Sequence, residues 1–90
     1  MILLLTVTDV ILARGRGALL LPRIAVPVSE RARFHVELRF PDGTRKMSEA
    51  VFQFPHVSGP QVPLAMVHIC DLTPSEIPVG AEVWRMGHSA

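Results

Sequence analysis

Short apolar runs, each interrupted by polar, glycine or proline residues, follow one another along the whole chain. Residues 33–40 have the most regular alternation, with an apolar side chain at every second position. Because successive side chains of a β-strand point to opposite faces of a sheet, this period of two predicts a strand with one buried and one solvated face. The side chains expected to line the interior include Phe34, Val36, Leu38 and Phe52.

The N-terminal part of the chain predicts two strands joined by a tight turn. Residues 1–12 and 18–26 are rich in Val, Ile and Leu, which favours strand structure. Between them, Gly15 and Gly17 can adopt the positive φ angles that a tight reversal demands. Pro22 predicts that the second strand is bent, broken or at a sheet edge there, since proline cannot donate to a strand ladder.

Further along, the chain predicts three more strands, separated by turn signals. A hairpin turn is expected at Pro41-Asp42-Gly43, where proline presets φ and glycine takes the left-handed position. Residues 55–63 contain three prolines and predict a loop. Thr73-Pro74-Ser75-Glu76 has the form of a helix start, which Pro78 and Gly80 limit to a single turn. The additional strands are residues 44–54, 64–70 and 81–86.

About six short strands without a long amphipathic helix predict an all-β fold. We expect a small, closed, antiparallel Greek-key-like barrel, because closure leaves no strand edge unpaired. The chain has 90 residues, 49% of them hydrophobic, so residues 1–90 form one domain with one core.

Charge and cysteine content narrow the classes of function. The formal net charge is +1, with eight Arg against one Lys, so the chain lacks the global positive field of a dedicated nucleic-acid binder but can carry local arginine patches. The single cysteine, Cys70, excludes an internal disulfide and an all-cysteine metal site. Residues 1–12 have neither a basic leader nor the roughly 20 apolar residues of a membrane span. We therefore expect a cytoplasmic protein without a membrane partner.

Three segments resemble the second domain of EF-Tu-type translation factors. Residues 7–24 contain an Asp-Val strand, a Gly-Arg-Gly turn and a second apolar strand ending in arginine, as the opening of that domain does. Residues 50–54, Ala-Val-Phe-Gln-Phe, stand where the family has its Val-Glu-Met-Phe strand. Leu72, Ile77 and Gly80 match the family signature Gly-Ile/Leu-x-x-x-x-Ile-x-x-Gly. The resemblance covers most of the chain and implies a stand-alone translation-factor β-barrel.

The chain also departs from that family. Leu21-Pro22-Arg23 replaces Thr-Gly-Arg, Ser29-Glu30-Arg31 replaces a Val-Gly-Asp turn, and the asparagine of the aminoacyl pocket has no counterpart near Leu64. No GxxxxGK[ST] phosphate loop is present, so neither a GTPase domain nor nucleotide binding is implied.

The resemblance implies a non-catalytic binding module that contacts tRNA, ribosomal RNA or a translation-factor partner. Its candidate binding residues are Arg14, Arg16 and Arg23, because the equivalent family turn lies close to tRNA or the ribosome and guanidinium groups suit phosphate oxygens. A solvated turn that keeps a hydrophobic barrel soluble explains the same charges. The alternative is a protein-interaction or homo-oligomerisation module, since an uncovered strand edge or apolar patch could pair with another chain.

Other chemistry is less well supported. His68 and Cys70 are two residues apart on a predicted strand and could supply two ligands of a zinc site. The remaining ligands would have to come from His35, His56 or His88. A half-buried histidine beside a core thiol is the simpler interpretation. Ser58 lies near a histidine but lacks a nucleophile elbow, so we expect neither catalytic residues nor a cofactor. Trp84 is expected in the core, with a surface binding anchor as the alternative.

Overall fold

The computed structural model describes residues 1–26, 32–54 and 64–87. Within these ranges, seven antiparallel strands form one sheet in the order β1-β7-β4-β5-β6-β3-β2. A 3₁₀ turn at Pro74–Glu76 is the one helical element of the described residues. The all-β prediction is therefore confirmed. The strands are β1 (Ile2–Thr6), β2 (Asp9–Leu12), β3 (Ala18–Ala25), β4 (Phe34–Arg39), β5 (Arg45–Gln53), β6 (Leu64–Ile69) and β7 (Glu82–Arg85).

The expected N-terminal strand is divided into β1 and β2 because the chain changes partners between Val7 and Thr8. β1 pairs with β7, and the backbone N–H of Val7 extends this pairing by donating to the carbonyl of Ala81 at 2.8 Å. β2 pairs with β3, and the N–H of Thr8 donates to the carbonyl of Leu21 at 2.8 Å. The described part of the chain consequently forms seven strands instead of the expected six or so.

The sheet is a curled half-barrel, not the closed cylinder that the sequence predicted. β1 and β2 stand at the two ends of the strand order and follow one another end to end, so no ladder of described residues joins them side by side. The ladder between β3 and β6 is irregular between Leu20 and Ile24, where Pro22 has no N–H to donate. The predicted disturbance of the second strand at Pro22 is thus confirmed.

The concave side of the sheet carries the core that the alternating pattern predicted. Val36 and Leu38 are fully buried, and Phe34 and Phe52 are 7% and 5% exposed. The two phenyl rings lie 4.7 Å apart, and the guanidinium carbon of Arg85 stands 4.5 Å from the ring centroid of Phe34. Burying an aliphatic or aromatic side chain of this size stabilises a fold by about 1.5–3 kcal/mol, so each of these positions contributes substantially to the stability.

Local turn chemistry follows the sequence. At the tip of the β4–β5 hairpin, the N–H of Gly43 donates to the carbonyl of Phe40 at 2.9 Å, and Gly43 has a φ of +92°. The single 3₁₀ turn at Pro74–Glu76 is preceded by Thr73. The N–H of Thr73 donates to Glu76 Oε2 at 2.7 Å, which is one of the two hydrogen bonds of a capping box. No helix in the described ranges has the length and apolar character needed to cross a membrane.

Candidate functional site

The turn between β2 and β3 packs against the end of β6, and glycine makes this approach possible. Gly17 has a φ of +94°, and a Cβ at this position would lie 2.5 Å from the backbone oxygen of Ile69 and 2.7 Å from Nε2 of His68. Gly15 has a similar φ of +91° but open space around it. Gly17 is therefore needed for both its conformation and its lack of a side chain, whereas Gly15 is needed for its conformation alone.

His68 holds the same turn through a hydrogen bond. Its Nε2 lies 3.0 Å from the backbone oxygen of Arg16. Because a carbonyl oxygen can only accept, Nε2 carries the proton in this contact. The ring is half-buried and packs near Gly17. The sequence presented His68 as a packing residue or a metal ligand, and the structure gives it the further task of anchoring the arginine turn to the sheet.

A cleft of about 530 Å³ opens beside this turn, and its lining includes Arg16, the start of β4, the middle of β5 and the residues that follow β6. Arg33 and His35 come from the start of β4, and Glu49 comes from the facing part of β5, since His35 and Glu49 are direct partners in the ladder. The side chains that define its chemistry are Arg16, Arg33, His35, Ser48, Glu49 and Asp71. We call this the arginine cleft.

In the inner part of the arginine cleft, two polar side chains are hydrogen-bonded to each other. Ser48 is 6% exposed, and its hydroxyl donates to Oδ1 of Asp71. No buried side-chain nitrogen or oxygen among the described residues lacks a hydrogen-bond partner. Cys70 also lines the cleft, with its thiol directed at the carbonyl of His68 at 3.9 Å. The Ser48–Asp71 contact joins β5 to the turn after β6 and so supports the shape of the cleft.

The rim of the arginine cleft carries the charges that a ligand would meet. Arg33 pairs with Glu49 at 3.5 Å, but both side chains are largely exposed, so the pair is weak and open to competition. Arg14 and Arg16 are exposed and have no ion-pair partner in the described part of the chain. Arg16 and Arg33 line the cleft together with the carboxylates of Glu49 and Asp71, whereas Arg14 stands on the same turn as Arg16 outside the lining.

The three arginines singled out from the sequence do not form one cluster. Arg14 and Arg16 share the turn before β3, whereas Arg23 is exposed seven residues beyond Arg16, near the other end of that strand. At about 3.3 Å per residue, the strand from Ala18 to Arg23 spans roughly 17 Å. The structure brings Arg33 to the turn in place of Arg23.

Trp84 is not the core residue that the sequence favoured. It is half-buried on the outer face of β7, because its neighbour Val83 takes the buried side of the strand. The guanidinium carbon of Arg39 lies 4.5 Å from the indole centroid, and the indole N–H donates to Oε1 of Glu82 at 3.0 Å. In the structure the Arg39 side chain covers the indole ring, whereas the sequence predicted that core side chains would surround it.

The other residues that the sequence suggested as metal ligands or as a nucleophile do not form a second candidate site among the described residues. His56, Ser58 and His88 lie outside the described residues. Across the three described ranges, no group of three or more His, Cys, Asp or Glu side chains is placed to hold a metal ion. His68 and Cys70 instead make contacts within their own part of the fold, as described above.

Arg33, Ser48 and Asp71 were not identified from the sequence as site residues. The hairpin turn fixes the β4–β5 register, so the placement of His35 opposite Glu49 could have been found from it. The residues around Arg16 give no indication that its side chain approaches this hairpin, because the contact depends on the positions of β3 and β6 in the sheet.

Comparison of the chain with protein-family models, curated proteins and solved structures gives no match.

Proposed function

We propose that this chain is a non-catalytic binding module, similar to the second β-barrel domain of EF-Tu-type translation factors, and that it contacts tRNA or ribosomal RNA. The observation that carries the proposal is the arrangement at the arginine cleft. Arg16 lines the cleft from an anchored turn that also carries Arg14, and Arg33 lines the same cleft from the start of β4. Guanidinium groups placed in this way can contact successive phosphate oxygens without reading base sequence.

The rigidity of the turn supports this function. Two glycines with positive φ, the N–H of Ala13 donating to the carbonyl of Gly17 at 3.1 Å, and the contact with His68 restrict the backbone that carries Arg16. A restricted backbone loses less conformational entropy when a ligand binds. The turn therefore presents its charges at low entropic cost.

The chain connectivity also supports the resemblance. If β1 and β2 are counted as one bent strand, the sheet has six strands, and its two ends belong to one continuous segment of chain. This connectivity supports the resemblance to the translation-factor β-barrel, although the sheet itself is a half-barrel. The sequence has no phosphate loop, so the proposed function does not include nucleotide binding.

The proposal is tested by measuring tRNA binding as a function of salt concentration. The parent protein is compared with Arg14→Ala/Arg16→Ala, which removes two phosphate contacts and should reduce the slope of log K against log salt by about 1.4–1.8. Arg23→Ala is the matched control, because it removes the same kind of charge from the distant end of β3. Retained binding in the control with loss in the double variant supports the site. Absence of binding at low salt, or equal loss in every variant, refutes it.

A second function, a protein-interaction or self-association module, is favoured by a different observation. β1 and β2 expose Ile2, Leu3, Ile11 and Leu12, with Leu12 71% exposed. β1 and β2 are the two edge strands of the sheet, and an edge strand with exposed apolar side chains is open to pairing with another chain. Light scattering over a range of concentrations tests the homo-oligomer form: a mass that rises with concentration and returns to the monomer value in Leu12→Ser supports it. A constant monomer mass excludes it.

A further inference from the structure

An ion pair between Arg33 and Glu49 lies within the lining of the arginine cleft. Arg33 Nη1 is 3.5 Å from Glu49 Oε2. Glu49 is the direct ladder partner of His35, and Arg33 stands two positions before His35 in the chain. Diagonal neighbours of this kind on one face of an antiparallel pair are within reach of long side chains. The register of the β4–β5 hairpin therefore supplies Arg33 with a carboxylate before any ligand arrives.

The other carboxylate of the arginine cleft has a different role. Asp71 accepts a hydrogen bond from the hydroxyl of Ser48, which is 6% exposed, so it belongs to the packing that shapes the cleft. The side chain of Glu49 is 47% exposed, and that of Arg33 is 69% exposed. Their contact thus lies in solvent, and Glu49 can release Arg33 without disturbing the core.

A phosphate group of RNA needs the same donors that Glu49 engages. Guanidinium N–H groups bind carboxylate and phosphate oxygens with the same planar geometry. A phosphate bound to Arg33 while Glu49 remained paired would bring two anions against each other, which Coulomb repulsion disfavours. Binding of a phosphate at Arg33 therefore requires that the Arg33–Glu49 pair opens.

We infer that Glu49 competes with RNA phosphates for Arg33 and holds the affinity of the arginine cleft below the value that its arginines alone would give. This inference rests on the proposed function, since it concerns the same ligand and the same site. The exposed pair is weak, so RNA displaces the carboxylate at a moderate cost in affinity. Glu49 acts on the ligand through Arg33 and tunes binding without being a contact residue.

The test compares tRNA binding to the full chain by fluorescence anisotropy at one low salt concentration. Glu49→Gln keeps the size of the side chain and removes its charge, so Arg33 becomes available to phosphate. The affinity for tRNA should rise by about twofold to fivefold, the range that corresponds to one exposed ion pair. Glu76→Gln is the matched control, because it removes the same charge outside the cleft and retains the capping box, which accepts Gln as well as Glu. An equal gain in both variants would reflect net charge alone and overturn the inference.

A second background shows whether the gain passes through Arg33. In Arg33→Ala, the further change Glu49→Gln should raise the affinity for tRNA no more than Glu76→Gln does, because the guanidinium group that both anions seek is absent. A full gain in this background would place the effect outside the Arg33–Glu49 pair and overturn the inference.

The same measurements separate this inference from the proposed function. If neither the parent nor Glu49→Gln binds tRNA at low salt, the proposed function is refuted, and this inference with it. If the parent binds tRNA and Arg14→Ala/Arg16→Ala weakens binding, while Glu49→Gln binds like the parent, the proposed function stands and this inference alone is overturned.

Discussion

Gly17→Ala probes the contact on which the arginine cleft depends. The substitution adds one methyl group where β6 leaves no space, with backbone oxygen at 2.5 Å and the His68 ring at 2.7 Å. The nearer atom belongs to the backbone of Ile69, which pairs with both Ala18 and Ala50 and cannot move without disturbing two ladders. The new methyl group should therefore push the turn away from the sheet.

The expected loss of stability has two parts. An alanine with φ in the left-handed region costs about 1–2 kcal/mol, and this part applies equally to Gly15→Ala. Forcing an extra methyl group into a packed site costs a further 1–3 kcal/mol or so, and this part applies to Gly17→Ala alone. We expect a loss of roughly 2–5 kcal/mol for Gly17→Ala and about 1–2 kcal/mol for Gly15→Ala. For a domain of this length the total stability is on the order of 5–13 kcal/mol, so the larger loss is readily detected.

Urea unfolding followed by circular dichroism measures the difference. With a slope of about 1–2 kcal/mol per molar for a small domain, an extra 2 kcal/mol or so lowers the midpoint of Gly17→Ala by roughly 1–2 M relative to Gly15→Ala. Slopes equal to the parent's would indicate that both variants unfold in one cooperative step. Equal midpoints for the two alanine variants would refute the close packing of the turn on β6, because the steric part would then be missing.

Leu38→Ala should destabilise the fold by about 2–5 kcal/mol in thermal melts, because Leu38 is fully buried. Leu12→Ala is the control: this position is 71% exposed, so the melting temperature should change little. Similar losses in the two variants would contradict the assigned core. Arg39→Ala should shift the fluorescence of Trp84, the single tryptophan, to longer wavelength and cost about 0.5–1 kcal/mol, with an unchanged spectrum contradicting the stacked geometry. Since the hydrogen bond from the Thr44 hydroxyl lowers the folded-state pKa of Asp42, its ionised form contributes stability above the ordinary value of 3.8 that is lost as pH falls through the folded pKa. The melting difference between parent and Asp42→Asn should therefore shrink in acid, and a difference that is constant with pH would count against this contribution.

Local pattern was sufficient for most of the strands and turns and for the central core positions. The alternation around Val36 and Leu38 assigned a buried face, and the structure buries those side chains completely. The turn residues Gly17 and Gly43 have the positive φ angles expected of them. These features depend on neighbours within a few positions, which a chain specifies directly.

The division of the first strand and the position of Trp84 were predicted incorrectly, for reasons that lie outside local pattern. A single apolar run does not reveal that its halves pair with different strands, as β1 and β2 do. An aromatic residue in a strand is expected inside, yet the alternation of β7 places Val83 inward and leaves Trp84 to be covered by Arg39. Both outcomes depend on which strands become neighbours.

The composition of the arginine cleft likewise belongs to the assembled sheet. The sequence grouped Arg14, Arg16 and Arg23 because they are close along the chain, and a turn-and-strand geometry separates the third from the first two. Arg33 joins Arg16 because β4, β5 and β6 are adjacent in the sheet and β6 carries the turn through His68. Chain proximity specifies turns and faces, whereas the meeting of distant side chains follows from strand order and register.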